Sequence, residues 1–362
     1  MGENMSLLEK LKKNSTIKDS AILSKSKFFT EKDMVPTFVP MINVALSGRL
    51  DGGITPGLTM WAGPSKHFKT AFSLLMAKSY MDKYEDAALL FYDSEFGTPQ
   101  SYFDSFGIDT SRVIHTPLTD VEQLKFDIMQ QLAGIERGDH LIIVIDSIGN
   151  LASKKEVEDA LDGKSVGDMT RAKQMKSLFR MVTPHLNLKD IPLVVVNHTY
   201  MEIGMFPKAI VGGGTGSYYS ADNIFILGRQ QEKEGTEIIG YNYIINVEKS
   251  RYVKEKSKIP ISVSFDGGIS KWSGLLDIAI ESGHIIKPSN GWYSKVDKDT
   301  GEIEEKKYRI KDTDTKDFWM SIVTSKSFNE FVQNKYALAH GDIIRDDEII
   351  TDMAKYKNDK TA

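Results

Sequence analysis

The segment Gly63-Pro64-Ser65-Lys66-His67-Phe68-Lys69-Thr70 constrains this chain more than any other. An apolar run, Leu58–Ala62, leads into it, and a helix-period pattern from Lys69 to Lys83 leads out. A strand, a glycine-started loop and a helix opening on Lys-Thr together make a phosphate cradle. Consecutive backbone N–H groups and the helix N-terminus face phosphate oxygens, Lys69 adds a point charge, and the Thr70 hydroxyl offers a ligand to Mg²⁺. All eight residues are therefore expected at a bound nucleotide. Phe68 stands where such loops ordinarily carry glycine. A left-handed backbone there costs an L-residue about 1–2 kcal/mol but keeps the amide in place for phosphate.

The chain around this loop alternates strand-like and helix-like segments. Ala87–Tyr92 and Val113–His115 read as strands, and Gln100–Phe106 and Asp120–Glu136 as helices, with Asp120 as an N-cap. Leu141–Ile145 and Leu193–Val196 are short and wholly apolar, as parallel strands covered on both faces are. The order predicts an α/β fold with a mostly parallel, doubly wound sheet. Asn223–Gly228, Tyr241–Val247 and Ile259–Phe265 read as antiparallel additions. Three divisions are expected. Residues 1–35 form an N-terminal helix and arm expected to link adjacent protomers, in which Leu7, Leu8 and Leu11 share a face; residues 36–274 form the nucleotide-binding core; residues 275–362 form a small α+β domain. Within the last, a polar turn is expected to join Trp292–Val296 to Glu302–Tyr308. Asp297, Asp299, Gly301 and Glu302 resemble a calcium loop only in part, because Tyr308 occupies its twelfth position.

Two carboxylates complete the chemistry. The apolar run Leu141–Ile145 ends in Asp146, placed to hold Mg²⁺ through its water shell. Phe91-Tyr92-Asp93-Ser94 leads to Glu95, placed to polarise a water for in-line attack on a phosphorus. Composition narrows the alternatives. The absence of cysteine excludes disulfides and thiolate metal sites. The seven histidines show neither an HxxxH nor a Ser–His–Asp cue. No apolar run approaches the roughly 18 residues of a membrane span, and Met1–Lys27 has no apolar core of signal-peptide length. With a net charge of −4, any grip on DNA must come from a local surface or oriented amides.

The order Gly63–Thr70, Tyr92-Asp93-Ser94-Glu95, Tyr102…Gly107-Ile108-Asp109, Ile145-Asp146-Ser147 and Val196-Asn197-His198 resembles the ATPase core of the RecA recombinases. Ala152-Ser153-Lys154-Lys155-Glu156, Asp168-Met169-Thr170-Arg171-Ala172-Lys173 and Phe68 itself resemble the UvsX recombinases of T-even bacteriophages in particular. The resemblance covers about Lys27 to Lys335. It implies a RecA-like P-loop ATPase core with ATP and Mg²⁺ as cofactors and Tyr102 stacked on adenine. It also implies that His198 senses the γ-phosphate and that Lys249 and Arg251 reach a neighbour's ATP. Two loops, about 155–168 and 199–217, would then face DNA through Lys155, Tyr200, Phe206, Lys208 and Gly212, Gly213 and Gly214, with Arg171 and Lys173 on the following helix. Apolar tips Ile203, Met205 and Phe206 would enter between bases.

The implied function is a DNA-dependent ATPase that forms helical filaments on single-stranded DNA and exchanges strands with a homologous duplex. The implied setting is recombination, repair and recombination-dependent replication. Its partners would be both DNA forms, further copies of itself, a phage recombination mediator and a single-stranded-DNA-binding protein. Its place would be the cytoplasm of a host bacterial cell, without membrane association. Two alternatives stay open: a RecA-core hexameric helicase, which a large domain ahead of Gly63 would favour, and an ATP-binding filament mediator without strand exchange.

Overall fold

Apolar strands and amphipathic helices alternate to build one nine-stranded sheet with helices on both faces. The computed structural model describes residues 6–17, 19–26, 33–163, 169–202, 208–298 and 300–338. In chain order the elements are α1 Leu7–Asn14, α2 Pro40–Ser47, β1 Gly57–Ala62, α3 Lys69–Lys83, β2 Ala88–Asp93, α4 Gln100–Ser105, β3 Val113–Pro117, α5 Val121–Gly134, β4 Leu141–Asp146, α6 Lys154–Leu161, α7 Thr170–Lys189 and β5 Pro192–Asn197. There follow β6 Thr199–Met201, β7 Ala209–Val211, α8 Thr215–Ser220, β8 Asn223–Glu234, β9 Glu237–Ser250, β10 Lys258–Ser264 and β11 Gly268–Ile269. The C-terminal part holds α9 Leu275–Glu281, β12 Ile285–Ser289, β13 Trp292–Lys295, α10 Lys316–Val323 and α11 Lys326–Tyr336.

The strand order is β11-β10-β9-β8-β1-β5-β4-β2-β3, and every pair from β8 to β3 is parallel. Ala62 pairs with Asn197 and Asp93 with Asp146, so β1, β5, β4 and β2 end together. That common edge is where open α/β sheets place their ligands. Successive side chains leave opposite faces. Met60, Tyr92 and Ile145 pack with Leu178 and Phe179 of α7, whereas Trp61, Phe91 and Val144 pack with Phe72 and Leu75 of α3. The second cluster runs without a break into Phe318, Trp319, Phe328 and Val332 of the small C-terminal domain. Arm helix α1 is held locally by a capping box of Ser6 and Glu9, and its Leu7, Leu8 and Leu11 are exposed.

Several expectations change. Asn223–Gly228 is not a purely antiparallel addition: β8 runs parallel to β1 and antiparallel to β9, and is where the sheet switches direction. β8 and β9 extend to 12 and 14 residues. Their far ends carry no apolar alternation to announce a strand: Gln230–Glu234 is wholly polar, and Glu237–Gly240 sets Ile238 and Ile239 side by side. In the C-terminal domain Trp292–Lys295 pairs with Ile285–Ser289, while the expected partner Glu302–Tyr308 adds only the bridges Val296–Ile303 and Tyr293–Tyr308. The first loop expected to face DNA is partly helix: α6 starts at Lys154 under a Ser153–Glu156 capping box. Gly167, Ile203, Met205, Phe206, Phe28, Phe29 and Asp299 lie outside the described residues. Among the described residues no helix is long and apolar enough to cross a membrane.

Candidate nucleotide site

The loop between β1 and α3 is built on two left-handed residues, Lys66 at φ 60° and Phe68 at φ 64°. Phe68 is the N-cap of α3, so the sequence places a side chain where backbone freedom alone would ask for glycine. Its ring stacks on Tyr243 at 4.9 Å and meets the edge of Phe72 at 5.6 Å. Lys69 is buried, and its Nζ donates to the carbonyls of Gly63 at 3.1 Å and Pro64 at 2.8 Å. Burial lowers its pKa, while Glu95 and Asp146 oppose that shift. The result is an ammonium held at the loop by weak acceptors that phosphate oxygens can replace.

Thr70 and Asp146 meet directly, the Thr70 hydroxyl donating to Asp146 Oδ2 at 2.5 Å. Burial pushes Asp146 up to about 6, against the hydrogen bond from Thr70. Its other oxygen, Oδ1, is buried without a hydrogen-bond partner among the described residues. A buried carboxylate oxygen with nothing to accept is costly unless a cation or water satisfies it. The pair thus fits a hard cation such as Mg²⁺, which keeps several waters and takes only one or two protein ligands. No group of three His, Cys, Asp or Glu side chains suits a metal among the described residues.

Glu95 follows β2 on a turn fixed by Asp93, whose Oδ1 accepts from the amides of Glu95 and Phe96 at 3.0 and 2.8 Å. Its Oε1 accepts from Ser147 Oγ at 2.6 Å and Asn150 Nδ2 at 3.2 Å, and lies 2.8 Å from His198 Nε2. The bond to His198 is the main cause that holds Glu95 down to about 2, with Ser147 adding to it against burial. Two neighbouring carboxyls are therefore driven apart, one toward its proton and one away from it. Such a separation keeps one of two neighbouring carboxyls ionised near neutral pH.

His198 is also a structural junction. Its carbonyl accepts from the Gly212 amide at 2.9 Å, and Asn197 Nδ2 donates to the Gly212 carbonyl at 2.8 Å. The second loop is thereby clamped to the end of β5, between the β6–β7 ribbon and the left-handed Gly213 and Gly214. Gly149 faces the imidazole so closely that a Cβ there would sit 2.4 Å from His198 Cδ2. Ser147 enters the sequence reading only as the end of the motif Ile145-Asp146-Ser147, and Gly149 and Asn150 carry no role there. Their one signal was position just after Asp146, in the segment that β4 delivers beside Glu95.

The remaining residues divide by place. Ser65, Lys66, His67, Phe68, Lys69, Thr70, Glu95, Tyr102 and His198 border one cavity of about 380 Å³. Tyr102 and Phe68 also border an aromatic cavity of about 710 Å³ with Phe106, Tyr241, Tyr243 and Phe265. Lys249 and Arg251 are elsewhere: Lys249 pairs with Ile224 at the start of β8, the end of the sheet opposite its own phosphate loop. Lys249 Nζ donates to the carbonyls of Tyr218 and Tyr219, and Arg251 pairs with buried Asp222 at 2.5 Å. Arg171 is turned inward, donating to the carbonyls of Ile148, Gly149 and Leu151 at 2.6–2.9 Å. Lys155 pairs with Asp159 within α6, whereas Lys173, Tyr200 and Lys208 are exposed.

A parallel sheet with a phosphate loop on its C-terminal edge, an Asp–Thr pair and a nearby ionised Glu defines a P-loop NTPase of the RecA class. A family model described as the RecA N-terminal domain matches residues 8–270, and one described as the C-terminal domain of the bacteriophage T4 recombination and repair protein matches residues 272–332. The chain belongs to the RecA recombinase family, on its UvsX-like side. It is 54% identical over 336 residues to the recombination and repair protein of Enterobacteria phage T4, spanning 92% of this chain and 86% of that one. Protein RecA of Syntrophus aciditrophicus is 26% identical over 72% of this chain and 74% of its own. Protein RecA of Bacteroides thetaiotaomicron is 28% identical over 82% and 87%.

Proposed function

We propose that this recombinase is a DNA-dependent ATPase that assembles as a helical filament on single-stranded DNA and exchanges that strand with a homologous duplex. One observation carries the reading: His198 joins the Glu95 carboxylate through its ring and the head of the second loop through its carbonyl. A side chain that answers to the γ-phosphate is thus bonded to the segment assigned to DNA. A change at either end has a short path to the other.

In this reading the triphosphate lies along Gly63–Thr70, and its oxygens take Lys69 from the Gly63 and Pro64 carbonyls. Thr70 and Asp146 would hold Mg²⁺, which when bound offsets charge on the phosphates. Glu95, kept ionised, accepts the proton of a water aligned for in-line attack. Tyr102 stacks on adenine. Lys249 and Arg251 face away from their own phosphate loop and serve the next protomer's ATP, so hydrolysis depends on assembly. Lys173, Tyr200, Phe206, Lys208 and the amides of Gly212–Gly214 grip the DNA backbone and bases, while Arg171 and Lys155 brace the loop segments. Sequence specificity comes from base pairing, the protein holding backbone.

Phosphate release from ATP, with and without single-stranded DNA, tests this directly. The expected result is stimulation by DNA in the wild type, lost nucleotide binding in Lys69→Ala, and retained binding without turnover in Glu95→Gln. Hydrolysis indifferent to DNA, or Glu95→Gln turning over at the wild-type rate, contradicts it.

A further inference from the structure

The phosphate loop touches the β8–β9 hairpin at three successive points. A Cβ on Gly63 would sit 3.3 Å from the Leu227 carbonyl of β8, so the loop's first residue lies against that strand. The Lys66 carbonyl accepts from Arg229 Nη1 of β8 at 3.0 Å. The Phe68 ring stacks on Tyr243 of β9 at 4.9 Å, with 23° between the planes. Lys66 and Phe68 are the two residues of the loop that are left-handed without being glycine. The partners are themselves joined, because the Arg229 guanidinium sits 4.5 Å over the Tyr241 ring and lies against the Tyr243 phenol.

We propose that Arg229 and Tyr243 are positioning residues that hold the phosphate loop in its nucleotide-binding shape. The inference rests on the reading of Gly63–Thr70 as the triphosphate site. Its physical basis is compensation. A loop with glycine at residue 68 reaches the left-handed conformation freely, whereas phenylalanine disfavours it. The Phe68 side chain that introduces this conflict also supplies the ring that Tyr243 grips. Arg229 performs the same service at Lys66 through the backbone carbonyl. Neither residue borders the cavity lined by Ser65–Thr70. Tyr243 does share the aromatic cavity with Tyr102, so only a loss that depends on the residue at position 68 reports the brace rather than a contact with the base.

A double-mutant cycle separates this role from ordinary core packing. The dissociation constant of a fluorescent ATP analogue is measured for wild type, Tyr243→Ala, Phe68→Gly and the double variant. Thermal melting without nucleotide is recorded alongside. Tyr243→Ala is expected to weaken binding about tenfold, equivalent to ~1.4 kcal/mol, and Tyr243→Phe to restore it. In the Phe68→Gly background, where the loop needs no brace, the same replacement is expected to change binding less than about twofold. Because Tyr243 is buried, the exposed Arg229→Gln serves as a second probe. Its binding should weaken at least threefold with an unshifted melting temperature. Equal losses for Tyr243→Ala in both backgrounds, or no loss for Arg229→Gln, overturn the brace. A wild-type protein that binds no nucleotide overturns the triphosphate site and the brace together.

Discussion

At the scale of single residues, the site sets two carboxyls to opposite tasks. Burial raises Asp146 from its ordinary 3.8 to about 6, so between those values the folded protein binds more protons than the unfolded chain. Stability therefore falls as pH rises through that window, by on the order of 1–3 kcal/mol. Asp146→Asn removes the buried charge and is expected to raise the melting temperature of the nucleotide-free protein at neutral pH. It should also abolish the dependence of nucleotide binding on Mg²⁺. A melting temperature unchanged or lowered would contradict the burial argument. Glu95 moves the other way because His198 hydrogen-bonds its charged form. His198→Ala returns Glu95 toward the usual carboxylate range, so the acid limb of the pH–rate profile should shift upward in pH. A limb that stays in place would mean that His198 does not set the protonation of Glu95 or that Glu95 is not the group the profile reports.

At the scale of elements, the end of β5 meets the segment after β4 with no room to spare. Gly149→Ala places a methyl inside contact distance of His198 and is expected to cut kcat about tenfold or more while leaving nucleotide affinity near wild type. A matching loss of affinity would show that the damage spreads beyond the His198–Glu95 contact. Asn197→Ala, which frees the Gly212 carbonyl, should reduce DNA stimulation more than basal hydrolysis. What was legible in the sequence follows a physical rule. The loop Gly63–Thr70, Asp146 and Glu95 were readable because each is defined by neighbours in the chain, a strand before and a turn or helix after. Gly149 opposite His198, the inward turn of Arg171 and the contact of Phe68 with Tyr243 join residues distant in sequence, and no local pattern encodes them. The outer halves of β8 and β9 were hidden for another reason. Strand ends paired beyond the core are held by backbone hydrogen bonds and lack the alternation that burial writes into a sequence.

At the scale of the whole molecule, the phosphate loop and the pair Lys249/Arg251 sit at opposite ends of one sheet. If Lys249 and Arg251 serve a neighbour's ATP, as proposed, protomers must stack head to tail, which generates a helix when the rotation does not close. Lys249→Ala and Glu95→Ala proteins, each slow alone, should recover part of the ATPase activity when mixed, because a mixed interface contains one intact Glu95 beside one intact Lys249. Strict additivity of the two poor activities, with filaments still visible, would remove the interface role. The proposed function ties hydrolysis to the exchange of homologous strands. The most direct measurement is joint-molecule formation between a circular single strand and a linear duplex, either homologous or unrelated, with ATP and Mg²⁺. Product is expected only with homologous duplex and ATP, and none from Lys69→Ala. Product yield indifferent to homology and to ATP, or unwinding by closed rings without joint molecules, would contradict it.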